Sequence, residues 1–202
     1  MADINAEQVK QLRELTGAGM MDCKRALQDA DGDVEKAVEL LRQKGLASAA
    51  KRASRIANQG RVESYIHFNH TVGSLVEVNC ETDFVANTDD FTQLARDVAL
   101  HVASPPPPRW LSRDDVPADI VDDQRHIFEV QAKEMGKPDN VVSKIVEGKL
   151  EAFYKEHVLL DQPFVRDDSK TIQQLLDEVG AKVGEKVAVR RFVRYKLGEE
   201  SD

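Results

Sequence analysis

The sequence predicts an α+β protein: an all-helical N-terminal segment, then a core in which a small three-stranded antiparallel sheet packs with helices. Three observations carry this. Residues 5–45 repeat apolar positions at helical spacing between capping residues and glycines. Residues 61–79 read as two strands around a polar turn, and Val187 to Tyr195 returns to strand composition after a long helical stretch.

The first helix opens at Asn5, which can cap, with Gln8 completing a capping box and Ile4 and Val9 at the staple positions. Its apolar stripe is Val9, Leu12 and Leu15, and Gly17 is the expected stop. Gly17-Ala18-Gly19 leads into a second helix with Cys23, Ala26, Leu27 and Ala30 inward, ending at Asp31-Gly32. Asp33 caps a third helix that turns Val34, Ala37, Val38 and Leu41 inward and closes at Gly45. Residues 1–45 thus form a three-helix domain near the lower size limit for independent folding. Residues 46–59 are Ala-rich and basic, with Lys51, Arg52 and Arg55, and are expected to be a linker.

Residues 60–202 form the core. Strands are expected at 61–68 and 72–79, joined by the turn Asn69-His70-Thr71, with Val72, Ser74, Val76 and Val78 on one face and Leu75, Glu77 and Asn79 on the other. Cys80-Glu81-Thr82-Asp83 then leads through Phe84 and Val85 to a helix capped by Thr88, with Phe91, Leu94, Ala95, Val98 and Val102 inward. Pro105 to Pro108 can continue no helix and is read as a spacer, with a polyproline ligand as the alternative. Two helices follow, about 118–135 and 139–157, the second loosened at Gly148. A helix with Ile172, Leu175, Leu176 and Val179 inward precedes the last strand.

Composition removes several function classes. The chain has 202 residues, 41% apolar, with no apolar run approaching the roughly 20 residues that span a bilayer. Its first residues have neither a basic nor an apolar leader region, so a soluble cytoplasmic protein is expected. The net charge of −8 opposes a phosphate backbone, and the acidity belongs to the C-terminal part, since residues 1–58 hold 10 Lys and Arg against 9 Asp and Glu. Cys23 and Cys80 lack zinc-ligand spacing and are read as reduced, structural thiols.

Enzyme chemistry finds little support. His67, His70, His101, His126 and His157 form no H-x-x-x-H pair, and Ser74 has no glycine-flanked elbow. No phosphate-binding glycine loop follows a strand, and the carboxylate pairs Asp89-Asp90, Asp114-Asp115, Asp122-Asp123 and Asp167-Asp168 lack the alternation of a calcium loop. The chain is read as a non-enzyme with no cofactor, no metal site and no nucleotide site of its own. Asp83-Phe84 after a strand is the conspicuous feature. Phe84 is either a core residue, with Asp83 as a capping group, or an anchor for a partner's pocket.

Two runs bear on that choice: Leu12 to Lys24, containing Thr16-Gly17-Ala18-Gly19-Met20-Met21-Asp22-Cys23, and Leu75 to Ala86, containing Thr82-Asp83-Phe84-Val85. Both resemble the elongation factor Ts family, and Val187 to Gly198 is similar to its closing strand. The resemblance implies an N-terminal bundle of the ubiquitin-associated type, a small sheet core, and guanine-nucleotide exchange on elongation factor Tu, bound with GDP or nucleotide-free. It implies that Thr82, Asp83, Phe84 and Val85 disturb the partner's magnesium and phosphate site, with Phe84 as a wedge. Gly19, Met20 and Met21 are the candidate docking residues, although burial between the helices is an equal alternative for at least one methionine. One core module is present instead of two, which resembles the short form that pairs as a homodimer; without a cysteine in the last strand, the pairing is expected to be noncovalent. A helical peptide-binding or ubiquitin-like-binding adaptor, suggested by the N-terminal bundle alone, is the competing class.

Overall fold

A computed structural model describes residues 4–16, 18–136 and 138–199, with Leu46 as backbone only; the expected helix stop at Gly17 lies outside the described residues. The elements run α1 (Ala6–Thr16), α2 (Met20–Asp29), α3 (Val34–Ala53), β1 (Gln59–Ile66), β2 (Val72–Cys80), α4 (Asp83–Ala86), α5 (Asp89–Ala103), α6 (Ala118–Glu134), α7 (Asp139–His157), β3 (Pro163–Phe164), β4 (Asp167–Thr171), α8 (Ile172–Val183) and β5 (Ala188–Lys196). The main sheet has the order β1-β2-β5 and is antiparallel, which makes the protein α+β as expected. The chain divides into two compact units, and the division falls inside strands and helices. One unit holds the residues up to Val62, Glu77–Ala95 and Gln174–Arg190, and the other holds Glu63–Val76, Arg96–Gln173 and the residues from Arg191.

In the first unit, α1 starts with a capping box: Gln8 N–H donates to Asn5 Oδ1 (2.8 Å) and Asn5 N–H to Gln8 Oε1 (3.1 Å). Val9, Leu12, Cys23, Ala26, Leu27, Ala30, Ala37 and Leu41 form one buried cluster, with Ile4, Ala18 and Val34 packed on it. Two expected core residues fall outside it: Leu15 is 70% exposed and Val38 lies at the surface. Each stands at the edge of its stripe, and the facing helices are too few to cover a wide face. Asp33 caps α3 by accepting from Lys36 N–H (3.1 Å).

Helix α3 does not close at Gly45. It continues to Ala53, so most of the expected linker is helix. One interior glycine costs only about 1 kcal/mol, and the alanines that follow are the best helix formers. Gly148 likewise leaves α7 unbroken. Gly60, in β1, has φ +142°, and a Cβ there would stand 2.1 Å from the Val78 carbonyl oxygen, so only glycine allows β1 to approach β2 this closely.

In the second unit, the β1–β2 turn is held by Asn69, whose Oδ1 accepts from Thr71 N–H (3.1 Å) and Oγ1 (2.8 Å), with His70 at φ 58°. Ser74 and Val76 are buried and Leu75 is exposed, as the alternation predicts. Helices α6 and α7 pack through Ala132, Val142, Val146 and Leu150. The stretch after Pro108 is pinned where Arg109 N–H donates to His157 O (2.8 Å) and Leu159 N–H to Trp110 O (2.8 Å). The β3–β4 hairpin was not expected; Asp167 to Lys170 is too polar to show strand alternation. Beneath it, His101 is buried, with Nδ1 accepting from Val165 N–H (3.2 Å) and Nε2–H donating to Gln162 Oε1 (2.9 Å). Burial holds this imidazole below the usual histidine range.

Candidate functional site

Strand β2 ends at Cys80, and the chain then makes one short turn of helix, α4. Thr82 is its N-cap, accepting from Val85 N–H through Oγ1 (3.4 Å). Asn87 closes it, donating from Nδ2 to Asp83 O (2.8 Å), and Thr88 Oγ1 donates to Val85 O (2.8 Å) while capping α5 at Phe91 N–H (3.3 Å). Two threonines six residues apart thus bound the motif, and the cap is Thr82 instead of Asp83.

The turn sorts its side chains. Val85 and Ala86 are buried, Asp83 is exposed and Phe84 is 84% exposed. Phe84 is therefore not a core residue. An aromatic ring held out in water by a capped turn forgoes about 2–3 kcal/mol of burial, which any surface that covers it recovers. Val85 belongs to the underside that seats the turn.

What seats it comes from a distant part of the chain. The Glu185 carboxylate accepts from Glu81 N–H and Thr82 N–H through Oε2 (3.0 Å each) and from the Thr82 hydroxyl through Oε1 (2.6 Å). In return, Glu81 Oε1 accepts from Lys186 N–H (2.6 Å) and Arg55 Nη1 (3.2 Å), so that Lys186 N–H, helped by the guanidinium, holds the Glu81 carboxyl below its usual range. Lys186 Nζ donates to the carbonyls of Ala53 (2.6 Å) and Arg55 (3.1 Å), where α3 ends. The Cys80 thiol donates to Thr82 O (3.1 Å); burial first and the Glu185 charge second push it up to about 11, so it stays a neutral thiol. Sequence reading missed Arg55, Glu185 and Lys186 in these roles, because no local pattern joins positions 26 to 133 residues apart.

The second candidate group lies in the same unit. Gly19 is the N-cap of α2, in extended backbone without a side-chain cap, and its carbonyl accepts from Asp22 and Cys23 N–H (2.9 Å each). Met20 and Met21 are 46% and 61% exposed, so neither is a buried staple. Leu15, at the end of α1, is exposed with them. Cys23 fills the interior beneath, its thiol donating to Ala18 O (3.6 Å), and Lys44 Nζ meets Asp22 Oδ1 at 2.5 Å to tie α2 to α3.

Among the described residues, no three His, Cys, Asp or Glu side chains are grouped to hold a metal ion, and no helix is long and apolar enough to cross a membrane. The distinctive chemistry is that of presented apolar side chains, Phe84 on one turn and Met20 and Met21 on another. Sequence comparison gives these surfaces a family context. The family model described as Elongation factor TS matches residues 4–199. Elongation factor Ts of Desulforamulus reducens is 56% identical over 199 residues, covering 98% of this chain and 91% of the relative. That of Carboxydothermus hydrogenoformans is 56% identical over 196 residues, covering 97% and 90%. That of Fervidobacterium nodosum is 52% identical over 197 residues, covering 98% and 100%. The chain belongs to the elongation factor Ts family, and is a translation elongation factor.

Proposed function

We propose that this protein is a guanine-nucleotide exchange factor that promotes GDP release from elongation factor Tu by disturbing the partner's magnesium and phosphate site. The observation that carries the reading is Phe84, 84% exposed with Asp83 beside it, on a turn capped by Thr82 and seated by the buried Val85 and Ala86. Phe84 enters the partner as a wedge, Asp83 beside it perturbs the water and phosphate environment of the magnesium, and Thr82 and Val85 hold the turn. Magnesium demands near-ideal octahedral geometry, so a small displacement of its ligands weakens it and leaves phosphate charge uncompensated. Gly19, Met20 and Met21 form the docking surface of residues 1–45, where methionines adapt to an apolar partner. Residues 46–59 connect that part to the core, 60–202, which carries the wedge and pairs with a second copy.

The energetics require both parts. Lowering nucleotide affinity by about four decades takes roughly 5.5 kcal/mol of differential binding. Covering Phe84 contributes about 2–3 kcal/mol, so docking of the N-terminal part supplies the remainder. Linkage makes the effect reciprocal: the factor binds nucleotide-free partner better than GDP-bound partner by the same ratio. The protein so described acts in the cytoplasm, catalyses no covalent step, takes no cofactor and binds neither nucleic acid nor membrane.

The test is stopped-flow release of fluorescent GDP from elongation factor Tu with the wild type, with Phe84→Ala and with neither. The wild type accelerates release, and Phe84→Ala loses at least about tenfold of that acceleration, since each 1.4 kcal/mol is a factor of ten. Circular dichroism of the variant stays at the wild-type spectrum. Unaccelerated release with the wild type refutes the reading.

A further inference from the structure

The exchange reading gives work to the Phe84 ring, but the ring has no polar atom that could set its own position, so its direction is set by the backbone of the turn. We propose that Glu185 is the positioning residue for the Phe84 turn: its carboxylate fixes where β2 ends and α4 begins, and so where the ring points. The proposal rests on the exchange reading for its functional half.

One carboxylate satisfies three donors at the entry to the turn, Glu81 N–H and Thr82 N–H (3.0 Å each) and the Thr82 hydroxyl (2.6 Å). Bonds to an ionised acceptor are the strong ones, and two go to consecutive backbone amides, which fixes the peptide plane as well as its place. The Thr82 hydroxyl is engaged twice, donating to Glu185 and accepting from Val85 N–H (3.4 Å). Glu185 therefore orients the very group that caps α4.

The seat of Glu185 is itself restrained. Gly184 has φ +77°, a backbone conformation other residues rarely adopt, and Lys186 N–H is held by Glu81 Oε1 (2.6 Å). A Cβ on Gly180, inside α8, would stand 2.9 Å from the Glu185 carbonyl oxygen, so α8 packs its backbone against this loop. Glu81 and Glu185 thus cross-brace two segments: each carboxylate accepts from the other's backbone neighbourhood. Lys186 adds the end of α3 through the carbonyls of Ala53 and Arg55. A wedge works only when its approach is fixed before the partner arrives, because a misplacement of about 1 Å can cost on the order of a hundredfold.

The experiment measures Glu185→Ala, Glu185→Gln and Thr82→Val beside Phe84→Ala and the double variant Phe84→Ala/Glu185→Ala, in the full chain. Two readouts are taken: amide hydrogen exchange of the 81–87 segment, and GDP release from elongation factor Tu as a function of factor concentration. The proposal expects faster amide exchange confined to that segment in Glu185→Ala, and a maximal release rate roughly ten- to hundredfold lower. Thr82→Val, which keeps the shape and removes the hydroxyl that donates to Glu185 and accepts from Val85 N–H while leaving both backbone amides on the carboxylate, gives an intermediate effect. The double variant is no slower than Phe84→Ala, since a ring already absent cannot be misplaced. If Phe84→Ala is defective while folded Glu185→Ala and Glu185→Gln release GDP at the wild-type rate, the proposal is overturned. If Phe84→Ala itself is unimpaired, the wedge role of Phe84 fails and with it the functional half of the proposal, while unchanged amide exchange at 81–87 in Glu185→Ala overturns the structural half independently. Should Glu185→Ala not fold, Glu185→Gln and Thr82→Val decide by the same criteria.

Discussion

At the scale of the residue, small features decide whether a segment has one conformation. Gly60 is such a case: β1 comes so near β2 that a Cβ would overlap the Val78 carbonyl oxygen at 2.1 Å. Gly60→Ala is expected to lower stability by on the order of 3 kcal/mol, from strain at positive φ plus overpacking, as read by urea denaturation. His101 makes a pH-dependent contribution. Its folded pKa is depressed by burial, so between that value and the unfolded value near 6.5 the unfolded chain binds more protons. Its stabilisation is complete above about pH 6.5 and is lost as pH falls toward the folded pKa. Melting temperatures of the wild type and His101→Gln, measured between about pH 7.5 and 5, are expected to fall more steeply for the wild type. The Cys80 thiol, raised to about 11 and buried, is expected to stay unreactive toward thiol reagents at neutral pH until the chain unfolds.

At the scale of the element, capping and burial carry separate shares. The Asn5–Gln8 box satisfies two amides of α1, and Asn5→Ala is expected to cost about 1 kcal/mol. Leu27 has no exposed surface at the centre of the α1–α2–α3 cluster, and Leu27→Ala is expected to cost about 2–5 kcal/mol. The contrast is measurable in one series of denaturation curves. Equal losses at the two positions would show that the cluster does not hold these helices. The short α4 is different in kind: four residues are far too few to be stable alone, so its geometry depends on Thr82 below and Asn87 and Thr88 above.

At the scale of the whole molecule, the proposed pairing of two copies makes a prediction about mass. In the second unit Ile66, Phe68, Leu75, Tyr195 and Leu197 are exposed, and the first and the last three of them belong to the lining of a groove of about 530 Å³. Large apolar side chains concentrated this way on a sheet suit a protein surface, and we take a second copy of this chain as the occupant. Sedimentation at micromolar concentration is expected to give about twice the 22.6 kDa of the chain, and Leu197→Asp to return it to the single-chain mass. A single-chain mass for the wild type would remove the homodimer from the proposal.

Much of the architecture was readable from residues alone, because caps and periodicities are local signals. Asn5, Asp33 and Thr88 marked three helix starts, and the inward faces of α5 and β2 followed from periods of 3.6 and 2. The family and the Thr82 to Val85 motif were equally legible, since a run of particular residues survives without knowledge of its surroundings. Tertiary structure alone decided whether Phe84 and the methionines are exposed, because an apolar residue on a short turn is apolar in either setting. The continuation of α3 through Gly45 was half legible: the alanines that follow offset a modest propensity cost locally, while Lys186 at the helix end is a tertiary contact. The Glu185 seat could not be read at all: hydrogen bonds between positions about a hundred apart leave no spacing in the sequence, and only the folded chain brings that carboxylate beneath the turn that carries Phe84.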